Sequence, residues 1–377
     1  MTPRIIPQPL IASLSIVPDP RQDINKKHLL IDILVITLCA VVAGAEGWNE
    51  IESFGREKES VFRKFLALPH GIPSHDIFRD VFLRMDPQPF GKAFLQWVQG
   101  IQLETNGRFV AIDGKTLRRT LDRATSRAPF HLVNAWATEN GLALGHVAVD
   151  GKSNEITAIP KLLDVLCIEG CTITIDAMGC QTKIADLITK RKGDYILSLK
   201  ENQKGLFQDV KDFFQISEET GFDGIEYETF ETIEKDHGRI ETRTYYLSQD
   251  ISTLDPKHHW PNLGSLGMVR ETRQVNGKKS VDRRYFITSH KSDVRLFAKG
   301  VRGHWGIENK LHWVLDVTFH EDLCRKRKDA SAINFAWIRK MAINLLRKDT
   351  SRKDSLRRKR LIAAWNTEYL LKVVFGI

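Results

Sequence analysis

The chain has 377 residues, 42% hydrophobic and 27% charged, with a formal net charge of +9. That balance supplies a large core and two or three structural units, and it excludes a disordered or fibrous chain. The charge is uneven. Residues 325–360 hold fourteen Lys and Arg against three acids, so everything else is slightly acidic. A local basic block of this kind points to a polyanion, nucleic acid first, with a solvated helix face as the plainer alternative.

Residues 1–20 carry Pro3, Pro7, Pro18 and Pro20 and read as an irregular lead-in. The apolar run "LLIDILVITLCAVVAGA" (29–45) contains Asp32 and is short for a membrane span, so it reads as a buried helix. Helical patterns continue through "NEIESFGREKESVFRKFLAL", "SHDIFRDVFLRM" and "PQPFGKAFLQWVQGI". These define a helical N-terminal domain over 1–105. The start has no signal pattern. The five cysteines (Cys39, Cys167, Cys171, Cys180, Cys324) include no CxxC pair. Neither a disulfide framework nor structural zinc is expected, and a reducing cytoplasm is.

At Asn106-Gly107 the period changes. "RFVAIDGKT", "FHLVNAWAT" and "LALGHVAVD" read as three strands, the last two joined by the turn "ENG". A helical "NEITAIPKLLDVL", a strand "CTITIDAMG", a helical "QTKIADLITKRK" and a strand "DYILSLK" follow. The order β-β-β-α-β-α-β predicts a mixed sheet with helices on its faces, an α/β core of the ribonuclease H-like kind over 106–200. Residues 201–290 read as a β-rich, mostly antiparallel insertion. The core resumes at 291–347 with "VRLFAKGVRGHWGIENKLHWVLD", and a basic helical tail closes the chain over 348–377.

Three acids stand where such a core can use them. Asp113 follows "FVAI", Asp176 follows "TITI" at the carboxyl end of its strand, and Glu308 sits on the helix after the insertion. Converging carboxylates repel unless a hard divalent cation neutralises them, and Mg²⁺ suits oxygen ligands beside phosphate. Each acid alone also fits a turn, a cap or a solvated face, and Asp164, Asp194, Asp316, Glu321 and Asp322 compete for the same roles. In "RGHWGIENKLHWVLD", His304, Glu308, His312 and Asp316 recur every fourth residue. In α geometry His304 and His312 stand about 12 Å apart along the axis, so they cannot share one ion. Ile307, Leu311, Val314 and Leu315 form the buried stripe, with Glu308 at its edge and His312 drifting away from it.

The stretches "IDILVITLCAVVAGAEGWNEIE", "AIDGKTLR", "KSNEITAIPKLL", "TIDAMGCQ", "GDYILSLKENQ", "HGRIETR" and "HWGIENKLHWVLDV" cover nearly the whole chain in order. Together they resemble the H-repeat-associated transposases, insertion-sequence transposases of the DDE type with a β-rich insertion in a ribonuclease H-like core. The resemblance implies a catalytic and metal-binding triad of Asp113, Asp176 and Glu308. It implies two Mg²⁺ ions, or Mn²⁺ in their place, and double-stranded DNA as partner, both element ends and target. A homodimer synapsing the ends, acting in the bacterial cytoplasm at the nucleoid and not at a membrane, is also implied. The wider group carries Tyr, Arg and Lys around its last Glu, whereas this chain has Val301, His304 and Leu315 there. Arg302, Lys310 or His312 is then expected to contact phosphate, with His304 as a further neighbour. Lys200, Asn202, Gln203, His237 and Arg239 are expected to contact DNA near the cleaved bond. Trp260 is a candidate for stacking on a displaced base or, alternatively, a core residue. Arg325, Lys326, Arg327 and Lys328 open the basic segment expected to grip the DNA backbone. A nuclease without strand transfer and an inactive DNA-binding relic are the competing readings.

Overall fold

The computed structural model describes residues 9–103, 109–121, 128–149, 155–236 and 238–376. Its centre is one nine-stranded sheet in the order β3-β2-β1-β4-β5-β9-β8-β7-β6. The strands are β1 (Phe109–Thr116), β2 (His131–Ala137), β3 (Leu142–Val149), β4 (Thr172–Ile175), β5 (Asp194–Leu199), β6 (Glu228–Asp236), β7 (Arg239–Ser248), β8 (Ser265–Val275) and β9 (Lys278–Thr288). β1, β4 and β5 run parallel, and every other pairing is antiparallel. The four residues of β4, "TITI", are all buried, as expected of a central parallel strand covered on both faces.

Alternation across the pleat sorts the layers. Leu162 of the helix Glu155–Val165 lies beside Gly145 of β3, while the next residue, His146, stacks on Trp337 of the helix Ser331–Lys348. The two helices therefore cover opposite faces. The helix Val294–Gly306 shares the face of Ser331–Lys348 and lies close over β1 and β5. A Cβ on Gly300 would stand 2.5 Å from Ile196 Cδ1 and 2.9 Å from Phe109 Cε1, so only glycine permits that approach.

The apolar run near the N-terminus forms the helix Leu30–Val42, buried at every residue but Ile31. Asp32 inside it accepts a hydrogen bond from Leu68 N–H at 3.0 Å. Among the described residues no helix is long and apolar enough to cross a membrane.

Two features depart from the sequence reading. The stretch after β5 is not only β-rich. It opens with the sixteen-residue helix Lys204–Glu219, which buries Leu206, Val210, Phe213 and Phe214. Its strands pair antiparallel as expected, and β9 joins them to β5 so that they extend the central sheet outward. The C-terminal segment is helical as expected, with the helices Leu356–Trp365 and Thr367–Phe375, but it packs on the rest. Much of the basic block faces inward: Arg339, Lys340, Lys359 and Arg360 are all buried. Arg360 donates to Val41 O and Glu46, and Lys359 to Leu346 O. Buried cations need such partners, which the charge count along the sequence does not reveal.

Candidate carboxylate site

Asp113 lies within β1, opposite Asn134 of β2 in the register. Asp176 directly follows β4. Its Oδ1 accepts hydrogen bonds from Met178 N–H at 3.1 Å and Gly179 N–H at 3.3 Å, so it also caps the short 3₁₀ turn Ala177–Gly179. Glu308 lies in a π-helical turn, Ile307–His312, between the helix Val294–Gly306 and Trp313–Val317. All three line one cleft of ≈ 590 Å³ together with Thr174, Ser198, Lys200, Arg284, His304 and Trp305.

The π turn changes the placement of His312. Four residues of α-helix advance about 40° past a full turn, which would leave His312 beside Glu308 but carry it further from the buried stripe. A π turn bonds i to i+5 and takes in an extra residue, cancelling that drift. His312 is 3% exposed rather than a surface contact for phosphate. Its Nδ1 stands 3.0 Å from Glu308 Oε2 and 3.6 Å from Asp113 Oδ2. One donor atom each from Asp113, Glu308 and His312 lie within 4.8 Å of one another. The expected stripe of Ile307, Leu311, Val314 and Leu315 is buried.

Burial pushes the Asp113 carboxyl up to about 6. His312 opposes this, and the Asp176 and Glu308 charges add to it. The hydrogen bond with His312 holds Glu308 below its usual range. A crowded, partly desolvated set of carboxylates fits a hard divalent cation, which would relieve both the burial of charge and the repulsion. His304, whose Nδ1 lies 3.0 Å from Thr174 Oγ1, has its pKa lowered by burial and so favours the neutral ring.

The competing acids are engaged elsewhere. Asp316, Asp322 and Glu321 surround Lys115 Nζ at 2.6, 3.3 and 3.8 Å. Asp194 accepts from Ser289 Oγ, and Asp164 faces Arg191.

The remaining candidates divide. Lys200 is exposed and lines the cleft. Asn202 Nδ2 donates to Ala177 O at 2.6 Å and Gln203 Nε2 to Cys180 O at 2.9 Å, so both amides brace the loop that carries Asp176. Arg239 and Arg302 line a neighbouring pocket on the β7–β9 sheet, where Arg302 pairs with Glu234 at 3.0 Å. Lys310 is exposed. His237 lies outside the described residues. Trp260 is 7% exposed and packs in the core, so it offers no stacking face. Arg325, Arg327 and Lys328 are exposed, with Arg327 Nε donating to Arg119 O. Lys326 is not a free surface cation. Its Nζ donates to Glu46 O at 2.6 Å and sits 3.9 Å from the Phe335 ring centre, and burial brings its pKa down to about 8.

A family profile described as the transposase DDE domain matches residues 104–345, and one described as DDE_Tnp_1-associated matches residues 11–98. The chain belongs to the DDE transposase family. Its H-repeat-associated branch is represented by "H repeat-associated putative transposase YhhI" of Escherichia coli K12, 38% identical over 97% of this chain and 98% of that protein. "Putative transposase YncI" of Escherichia coli O157:H7 is 41% identical over 97% of this chain and 94% of its own length. A piggyBac transposase synaptic complex with hairpin DNA covers 98% of this chain and 78% of its own, at 12% identity and a TM-score of 0.42, too distant to carry an argument.

Residues that sequence reading of this DDE transposase missed are Trp305, Arg284 and Asn134. Trp305, 46% exposed, lines the cleft beside Arg284, whose guanidinium lies 5.5 Å from its ring centre. The aromatic residue three positions before Glu308 was a visible signal. Asn134 had none, because its relevance comes from strand pairing.

Proposed function

We propose that this DDE transposase cleaves phosphodiester bonds at the ends of an insertion element and joins the freed 3′-hydroxyl to target DNA. In this reading a ribonuclease H-like arrangement of strands presents Asp113, Asp176 and Glu308 as catalytic ligands of two Mg²⁺ ions. The observation that supports it most is the meeting of three carboxylates, 63 and 132 residues apart in sequence, in one cleft. Bound divalent ions would supply charge neutralisation and an activated oxygen nucleophile for in-line displacement. The chain's own part is to hold the carboxylates together, to cap and brace the Asp176 loop, and to present Lys200 and Arg284 to the phosphates. Backbone grip would come from the outward-facing cations of the basic segment, Arg325, Arg327, Lys328, Lys353 and Arg357 among them, on double-stranded DNA bridged by a homodimer.

The test uses an uncut element end to follow cleavage and a precleaved end to follow joining, each with a target duplex and Mg²⁺. Strand-transfer product is expected from the native chain. Asp113→Asn or Glu308→Gln should lower the rate by at least the ~10–100-fold that loss of even an outer partner of a metal site costs. Undiminished cleavage in both variants would dismiss the triad. Cleavage without joining would mark a nuclease instead.

A further inference from the structure

His312 sits where it can either ligate a cation or hold the groups that do, and the atom that decides is on its far side. Asn134 is fully buried, in register with Asp113 across β1 and β2. Its Nδ2 donates to Leu132 O at 3.1 Å and lies 3.3 Å from His312 Nε2. An amide turned the other way would set Oδ1 against the Leu132 carbonyl, two acceptors face to face, so the carbonyl fixes the amide. The second N–H then points at Nε2, which must accept it and carry no proton. In the neutral ring the proton is therefore on Nδ1, the nitrogen facing Glu308 and Asp113.

We propose that Asn134 fixes His312 as the tautomer protonated on Nδ1, so that His312 is a positioning residue and not a metal ligand. Its N–H draws the Glu308 carboxylate toward Asp113, a charge-assisted hydrogen bond that sets the spacing of the two acids. A nitrogen bearing a proton has no lone pair for a cation, so the ring leaves the ion to the carboxylates. His312 is 3% exposed and Asn134 fully buried, so bulk water does not compete for the bond between them. The tautomer stands on this geometry alone, whereas the consequence for metal binding rests on the proposed function.

The experiment uses the full chain labelled with ¹⁵N-histidine, the His312 signals being assigned by their loss in His312→Gln. The metal-free spectrum should show Nδ1 protonated and Nε2 bare. In Asn134→Asp, whose carboxylate only accepts, Nε2 should gain a proton. Mn²⁺ bound to the labelled native protein should show no directly coordinated imidazole nitrogen, and its affinity should fall about tenfold or more in His312→Gln. A native ring protonated on Nε2, or manganese coordinated by a His312 nitrogen, would overturn the inference. Failure of the native chain to bind Mn²⁺, or binding unaffected by Asp113→Asn, would instead count against the proposed metal site, with the metal-free spectrum still deciding the tautomer.

Discussion

Lys115, two residues beyond Asp113, shows how this fold handles charge near its site. Burial works against its ammonium, yet Glu321, Asp316 and Asp322 keep its pKa above the usual range. Removing one partner from a buried charge cluster leaves the others unpaired. Lys115→Met should therefore lower the unfolding free energy by about 3 kcal/mol in chemical denaturation. Lys340 is the opposite case. It is buried, its Nζ has no hydrogen-bond partner among the described residues, and its pKa is pushed down to about 8. Its folded-state value lies below the unfolded one, so between pH 8 and about 10 the unfolded chain binds the extra proton and this group makes stability rise with pH. The native chain should gain stability over that window, and Lys340→Met should gain less, by up to about 3 kcal/mol, as followed by denaturant titration at several pH values.

At the scale of elements, the π turn carries the site's geometry. Deleting Asn309, an exposed residue within it, should let the turn relax to α form. Circular dichroism should stay near native, while Mn²⁺ affinity falls roughly 10–100-fold because Glu308 and His312 no longer meet in the same way. Unchanged affinity would mean that the extra residue is idle. This turn also marks where sequence reading stops. β-branched runs such as "TITI" announced their strands, and the buried stripe from Ile307 to Leu315 was legible because it follows helical periodicity. The π turn was not, since an α-helical wheel assumes the very spacing that tertiary packing altered. The helix Lys204–Glu219 was readable in its apolar spacing, Leu206, Val210, Phe213 and Phe214, but was passed over among its β-rich neighbours.

For the whole molecule, net charge and its placement are different quantities. The basic block was plain in the sequence, yet Arg339, 2% exposed, faces Glu46 and Glu321 rather than solvent. Lys353 and Arg357 are exposed. If they meet backbone phosphates, Lys353→Ala and Arg357→Ala should each reduce the slope of log affinity against log salt by about 1. Arg339→Ala should weaken the fold instead. Filter binding across a salt series, with thermal melts alongside, separates the two outcomes.

The pairing of β5 with β9 has a consequence for a chain still emerging from the ribosome. β5 ends at Leu199, and the strand that covers its edge spans Lys278–Thr288. At about 5–20 residues per second, that edge stays open for seconds, and an open edge invites wrong pairing. Glu308 arrives later still. A nascent or truncated copy therefore holds Asp113 and Asp176 before the third carboxylate of the cleft exists, so the cleft is completed only when the helix that follows the last strand has been made.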